Sequence, residues 1–117
     1  MSNGIDLNKM PFVYWSPVAI MSYIQRRIIV YSIMYYNMSQ SCVSDRYYDT
    51  ISKQLCDLQK QYPEQFKHTQ YYYAMYDFDG TTGFNIPSRL NKSDLDRLTS
   101  IANAVLLSWQ AHGGKML

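Results

Sequence analysis

The sequence predicts a mainly α-helical fold, in which an antiparallel helical hairpin is followed by a C-terminal helix. Apolar residues recur at three- and four-residue steps through three long segments of the chain. Only a short polar stretch separates the first two segments, which favours two antiparallel helices. The length of 117 residues and the hydrophobic content of 47% suit one compact core. We therefore expect residues 17–117 to form a single helical domain, preceded by an approach segment over residues 1–16.

The first helix is expected to span residues 17–38. Ser16 can cap its N-terminus, and Pro17 fits the first helical position because no amide donor is needed there. The predicted buried face consists of Met21, Ile24, Ile28, Tyr31 and Tyr35. Further apolar residues widen this face, which predicts that neighbours cover the helix on more than one side. The β-branched run 28–30 also allows a strand, but the length of the periodic pattern favours a helix.

The second helix is expected to begin after a cap at Ser44 and to end near Tyr62, with residues 39–43 as the connection. Asp45 would lie at the positively polarised N-terminus of this helix, where a carboxylate is stabilising. The predicted buried face consists of Tyr48, Ile51, Leu55, Leu58 and Tyr62. Pro63 ends the helix, because the residue before a proline disfavours helical geometry.

The segment from residue 64 to residue 90 is rich in aromatic side chains but has no clear period. It predicts an irregular segment or a short β-hairpin around residues 70–86. Residues 79–83 contain two glycines and two threonines and are a turn signal. The same run has the composition of a phosphate cradle, but it lacks the lysine and the spacing of a Walker loop. A tight turn is therefore the favoured interpretation.

The last predicted helix runs from a cap at Ser93 to Ala111. Asp94 and Asp96 suit its first turn, where negative charge is stabilising. The predicted buried face consists of Leu95, Leu98, Ile101, Ala102, Val105 and Trp109. Gly113 follows the helix, at a position where glycine commonly terminates helical geometry.

Charge and hydropathy argue against several classes of function. The formal net charge is +2, which gives no general electrostatic reason to bind nucleic acid. The apolar run around Ile28 is interrupted by Arg26 and Arg27 and is too short to span a bilayer, so no membrane partner is expected. The N-terminus lacks a basic region followed by an apolar run, and no signal peptide is predicted.

The two cysteines, Cys42 and Cys56, are predicted to be reduced thiols of a cytoplasmic protein. They do not form a C-x-x-C pair, and only His68 and His112 could add nitrogen ligands, so no metal is expected. Neither the order nor the spacing of the residues suggests a Ser/His/Asp or Cys/His catalytic group.

One stretch of the chain points to ligand binding. Tyr35 and Tyr36 end the first predicted helix, and Asp45, Tyr48 and Asp49 open the second. The two aspartates are four residues apart and therefore share one helix face. Aromatic faces opposite a pair of carboxylates suit a flat cationic ligand, such as an oxidised nicotinamide ring. Like charges at this spacing destabilise a helix by roughly a few tenths of a kcal/mol, and a bound cation would offset this repulsion.

A purely structural interpretation of the same residues stays open. Asp45 is a favourable residue at a helix start, and Tyr48 would then belong to the core. Asp49 would pair with Arg46 or Lys53 along the helix. Spacing alone does not separate this interpretation from a ligand site.

The candidate residues belong to a longer ordered pattern. It reads Tyr35-Tyr36, then Ser44-Asp45-Arg46-Tyr47-Tyr48-Asp49, then Leu55 and Leu58, and finally Tyr62-Pro63-Glu64. This pattern resembles the N-terminal helical domain of bacterial NAD-dependent DNA ligases, which binds the nicotinamide mononucleotide half of NAD. The resemblance implies that Tyr35 and Tyr36 flank the nicotinamide ring. It also implies that Asp45, Tyr48 and Asp49 hold the ribose and the amide.

Ligase activity itself is not expected. Ligases of this family carry their adenylated lysine in a lysine-x-aspartate-glycine motif, whereas here Asp77 stands two residues before Asp79-Gly80 in place of the lysine. A chain of 117 residues also has no room for the other ligase domains. We therefore expect no enzymatic activity. The chain looks like the small stand-alone relatives of this domain, often phage-encoded, which implies a location in the cytoplasm of a bacterial host.

The resemblance leaves two candidate functions. The first is a non-catalytic module that binds nicotinamide mononucleotide, NAD or a related nucleotide between the first two helices. The alternative is a protein-interaction module, an inhibitor or adaptor that binds a host protein in phage–host conflict, with a vestigial pocket and residues 71–78 as its contact surface. Cleavage of NAD would need a general base at the glycosidic bond, but the resemblance assigns both Asp45 and Asp49 to binding.

Overall fold

The computed structural model describes residues 15–81 and 83–115, and the protein is mainly helical over these residues. No strand is found in the described part of the chain. In chain order, the helices are α1 (Pro17–Met38), α2 (Asp45–Gln61), α3 (Pro63–Phe66), α4 (Tyr72–Met75), α5 (Ile86–Arg89) and α6 (Lys92–Ala111). The predicted approach segment lies outside the described residues except for Trp15 and Ser16. The predicted helical fold class is confirmed.

Helix α1 is the centre of the fold, because it contacts α2, α3, α5 and α6. It begins as predicted, with the Ser16 hydroxyl accepting a hydrogen bond from the Ala19 amide at 3.2 Å and with Pro17 in the first turn. It ends at Ser39, which adopts left-handed geometry with φ 54°. Every residue from Ile28 to Met34 is buried, since neighbours cover this helix on several sides.

Helix α2 folds back against α1 and forms the predicted helical hairpin. Its cap is Ser44, whose hydroxyl accepts a hydrogen bond from the Tyr47 amide at 3.1 Å. Ile51, Leu55 and Leu58 are buried against α1, and the opposite face is polar and exposed. The helix stops before Pro63, as the sequence predicts.

Short helices and turns, rather than a β-hairpin, occupy residues 70–81 and 83–86. The β-hairpin alternative is therefore not found in these residues. The buried side chain of Gln25 anchors this part of the chain to α1, because it donates to the Thr69 hydroxyl at 2.8 Å and accepts from the Tyr71 amide at 3.2 Å. Gln25 and local turns supply partners for several backbone groups of this aromatic segment, which packs without a strand partner.

Helix α6 begins slightly earlier than predicted. Asn91, and not Ser93, is the cap, and its side chain accepts a hydrogen bond from the Asp94 amide at 2.8 Å. Both residue types cap helices well, so the sequence offers two starts, and the extended backbone at Asn91 selects the first. Only Leu98 and Ala102 of this helix are buried, because α6 lies on the outside of α1, and the other predicted core residues are partly exposed.

The sequence predicts no membrane-spanning segment. In that part of the chain, no helix combines the length and the apolarity needed to cross a bilayer. Cys42 is buried and Cys56 is half-buried, and neither forms a disulfide.

Candidate functional site

An open pocket of about 380 Å³ lies at the end of the helical hairpin. All the site residues predicted from the sequence line it: Tyr35, Tyr36, Asp45, Tyr48 and Asp49. The remaining lining residues are mostly small or hydroxylated: Tyr31, Ser32, Ser41, Val43, Ser44, Gly80 and Thr81. The walls are therefore the C-terminal half of α1, the connection, the first turns of α2 and the turn beginning at Asp79.

Tyr35 and Tyr36 form the aromatic side of the pocket on the last turn of α1. Their exposed fractions are 57% and 38%, and their ring centroids are 4.9 Å apart at an interplanar angle of 82°. Tyr35 was predicted on the buried face of α1, and that prediction is wrong, because the last turn of α1 faces the open pocket rather than the core. Phe84 extends the aromatic surface by packing its ring edge-on against Tyr36 at 5.4 Å.

Asp45 and Asp49 form the acidic side of the pocket, and both side chains are exposed. Asp45 is the first residue of α2, and Asp49 lies one turn further along the same face. Asp45 lies in the first turn of α2, where the helix dipole stabilises an acidic residue. The two carboxylates supply hydrogen-bond acceptors beside the tyrosine rings.

Tyr48 and Ser32 make the floor of the pocket. The Ser32 hydroxyl donates to the Ile28 carbonyl oxygen at 2.8 Å, so its single proton is used. The Tyr48 hydroxyl lies 2.9 Å from Ser32 Oγ and therefore donates to it, which leaves the Tyr48 oxygen as an acceptor. Burial raises the pKa of Tyr48, so its hydroxyl stays protonated and uncharged at neutral pH.

The turn that closes one wall of the pocket approaches the floor very closely. A Cβ added at Gly83 would lie 2.3 Å from both Ser32 Oγ and the Tyr48 hydroxyl oxygen, so no other residue fits without movement. Asp79 Oδ1 accepts from the amide and the hydroxyl of Thr81, and Gly80 has φ 88°, which confirms the predicted turn.

Ser32, Phe84 and the role of Gly83 were not found from the sequence. Ser32 gave a weak signal, because it is a polar residue within the most apolar part of α1. Gly83 and Phe84 gave none, since their contacts depend on how the irregular segment returns to the hairpin.

Arg27 supports the pocket from within the hairpin. Its guanidinium donates to the hydroxyl oxygens of Tyr31 at 2.7 Å and Tyr47 at 2.5 Å, and it lies over the rings of Tyr23, Tyr31 and Tyr47. Arg27 is half-buried, whereas its neighbour Arg26 is exposed. Because Tyr31 lines the pocket and Tyr47 belongs to α2, Arg27 links the two walls.

Arg27→Ala should lower the free energy of unfolding by about 1–3 kcal/mol, because charge-assisted hydrogen bonds to half-buried hydroxyls are lost. Arg26→Ala is the matched control, and we expect it to change stability by no more than about 0.5 kcal/mol. Urea unfolding of the two variants measures the difference. Equal effects of the two substitutions would show that the tyrosine contacts of Arg27 contribute nothing specific.

Stability should also fall in alkaline solution. Burial raises the pKa of Tyr31 and of Tyr48 above the ordinary tyrosine value of 10.0. The folded state therefore holds these protons more tightly than the unfolded state, so the stabilisation is complete below about pH 10 and is lost as the pH rises further. Thermal unfolding measured across this range should show a falling midpoint, and Tyr31→Phe should make the fall shallower. A fall unaffected by both Tyr31→Phe and Tyr48→Phe would refute the assignment.

Two further cavities contain none of the predicted site residues. One, of about 550 Å³, lies between Cys42 and the C-terminal half of α6, near Trp109. The other, of about 170 Å³, lies beside Asp77 and Arg89. Over residues 15–81 and 83–115, no group of three or more His, Cys, Asp and Glu side chains is arranged to hold a metal ion. Among these cavities, the pocket at the end of the hairpin brings several tyrosine rings together with two carboxylates.

Comparison of the chain with protein-family models, with curated protein sequences and with solved structures gave no match. The function of the pocket is therefore inferred from its own residues and from the ordered pattern in which they occur along the chain.

Proposed function

We propose that the protein binds nicotinamide mononucleotide, NAD or a related nucleotide in the pocket between α1 and α2, and that it acts as a non-catalytic module. One observation carries the proposal. The five site residues predicted from the sequence line a single cavity: Tyr35, Tyr36, Asp45, Tyr48 and Asp49. The hairpin brings these residues together, and their chemistry, tyrosine rings beside two exposed carboxylates, suits a small cationic ligand.

The chemistry of the pocket suits the nicotinamide half of such a ligand. Its volume of about 380 Å³ lies within the range of small-molecule sites, which is roughly 300–1,000 Å³. The rings of Tyr35 and Tyr36 are nearly perpendicular, so a flat nicotinamide would stack on one ring and meet the edge of the other. Asp45, Asp49 and the Tyr48 oxygen would accept hydrogen bonds from the ribose hydroxyls and the carboxamide.

Asp77 and Asp79, which lie where the resemblance would place the ligase motif, make structural contacts. Asp77, which stands where a ligase has its lysine, forms a two-pronged ion pair with Arg89, at 2.5 Å from Nη1 to Oδ1 and 3.1 Å from Nη2 to Oδ2. Asp79 caps its own turn through Thr81. Both carboxylates are therefore engaged in holding the irregular segment.

Isothermal calorimetry with nicotinamide mononucleotide and with NAD tests the proposal. The open pocket and the small ligand predict a dissociation constant between micromolar and millimolar. Asp49→Asn should weaken binding by roughly tenfold, since hydrogen bonds to a charged acceptor are lost. Asp57→Asn, on the exposed side of the same helix, is the control of equal charge change and should leave binding intact. An absence of heat with both ligands would refute the proposal.

A second candidate function is a protein-interaction module, and the exposure of two tyrosines favours it. Tyr73 and Tyr76 are 41% and 53% exposed, whereas Tyr71 of the same segment is buried. Exposed aromatic residues are common at the centres of protein interfaces. A partner recovered stoichiometrically from host lysate, and lost with the Tyr73→Ala/Tyr76→Ala variant, would support this function. If the Tyr73→Ala/Tyr76→Ala variant still recovered the partner, this segment would not be the contact surface.

A further inference from the structure

We infer that the pocket selects its ligand by charge: it takes a nucleoside whose aromatic base is cationic, and it does not recognise the ligand's phosphate. This inference rests on the proposed function and names the part of the nucleotide that the protein reads. It follows from the side chains that line the pocket, and from the backbone donors near it, taken together.

The charged groups that line the pocket are acidic. Asp45 and Asp49 are the carboxylates, and none of the described lining residues is a lysine, an arginine or a histidine. Tyr48 adds no negative charge, because burial raises its pKa and keeps its hydroxyl protonated. A positively charged ring would therefore meet two carboxylates and the faces of the tyrosines, whereas a phosphate would meet repulsion at the same rim.

Several backbone donors near the pocket are already used. At the start of α2, the Ser44 hydroxyl accepts from the Tyr47 amide, and the Ser44 carbonyl oxygen accepts from the Tyr48 amide. Asp45 places its own carboxylate at this helix end, where an anion would otherwise bind. In the turn, the amide of Thr81 donates to its neighbour Asp79.

Arg27, which contacts the pocket residue Tyr31, is also committed elsewhere. The guanidinium of Arg27 directs its Nη2 hydrogens at the hydroxyls of Tyr31 and Tyr47, and Tyr31 separates it from the pocket. A phosphate in the pocket would therefore lose water without gaining a charged partner, which is unfavourable. The phosphate of a bound nucleotide should project out of the pocket into solvent.

Titration of the full chain with four probes tests the inference: nicotinamide riboside, nicotinamide mononucleotide, reduced nicotinamide riboside and inorganic phosphate. We expect the riboside to bind within about threefold of the mononucleotide, because the phosphate contributes little. The reduced riboside, whose ring is neutral, should bind about tenfold more weakly or worse, because the ring loses both its cation–π interaction and its charge attraction to the carboxylates. Inorganic phosphate should neither bind nor compete.

The Asp45→Asn/Asp49→Asn variant supplies a second readout. Removal of both carboxylates should weaken binding of the riboside more than binding of the mononucleotide. Both ligands lose the attraction of the carboxylates to the ring, but the mononucleotide also loses their repulsion of its phosphate. Affinity of the unmodified protein for the riboside should also fall as salt is added, since both carboxylates are exposed.

The outcomes distinguish this inference from the function on which it depends. If the mononucleotide bound tightly and the riboside bound tenfold more weakly, the inference of selection by charge would be refuted. The proposed nucleotide-binding function would still hold. Equal binding of the oxidised and reduced ribosides would refute selection by charge as well. No binding of any nicotinamide compound would refute the proposed function itself, and the inference with it.

Discussion

Replacement of Gly83 by alanine should destabilise the protein by about 1–3 kcal/mol and should abolish ligand binding at the same time. The added Cβ would lie 2.3 Å from Ser32 Oγ and from the Tyr48 hydroxyl oxygen, which is far inside van der Waals contact. Either the turn moves away and opens one wall of the pocket, or Tyr48 rotates and the floor is lost. Urea unfolding and calorimetric titration with nicotinamide mononucleotide measure the two effects.

A second pair of variants shows whether the steric clash with Ser32 and Tyr48 causes the loss of stability in Gly83→Ala. In Ser32→Ala/Tyr48→Phe, the two atoms nearest to the added Cβ are absent, so Gly83→Ala should cost clearly less stability there than in the unmodified chain. Equal cost in both backgrounds would mean that the alanine acts through the backbone of the turn and not through the floor of the pocket.

Removal of both exposed tyrosines should weaken binding without unfolding the protein. We expect Tyr35→Ala/Tyr36→Ala to weaken nicotinamide mononucleotide binding by about 1–3 kcal/mol, the value of stacking one base on an aromatic ring. The free energy of unfolding should change by about 1 kcal/mol or less, because both side chains lie mainly outside the core. This separation of binding from stability distinguishes a ligand site from a structural cluster.

Two further variants complete this test. Tyr35→Phe/Tyr36→Phe keeps the aromatic faces and should keep most of the affinity. Tyr76→Ala removes a similarly exposed tyrosine from another part of the surface and should leave binding unchanged. If the alanine pair bound the ligand as well as the unmodified protein does, the aromatic side of the pocket would have no role in recognition.

The long helices could be predicted from the sequence because their signals are local. Ser16 with Pro17, and Ser44 with Asp45, specify the starts of α1 and α2, and Pro63 specifies the end of α2. The apolar periodicity of each helix agrees with these caps, so the local signals support one another. The start of α6 was misplaced because Asn91 and Ser93 are both good caps and only the backbone geometry selects one.

The segment between α2 and α6 could not be predicted, because distant residues decide its conformation. Gln25 on α1 holds it through Thr69 and Tyr71, more than forty positions away in sequence. Its aromatic content is compatible with strands as well as with short helices, and no local signal reveals where Gln25 would reach.

The candidate site, like the fold, could be predicted from the sequence only in part. The five predicted residues lie within two adjacent stretches of chain, so the spacing of the hairpin was enough to bring them to one pocket. Their role in binding stays a prediction. Ser32 and Gly83 complete the pocket through a contact between α1 and the distant turn, which only the folded chain reveals.

The central claim is that the hollow at the end of the hairpin is a binding site for a nicotinamide nucleotide. Amide-resonance mapping by NMR during titration with nicotinamide mononucleotide tests it most directly. The claim predicts saturable shifts concentrated at Tyr35, Tyr36, Asp45, Tyr48 and Asp49, with little change along the outer face of α6. Unshifted resonances at millimolar ligand, or shifts concentrated away from this hollow, would contradict it.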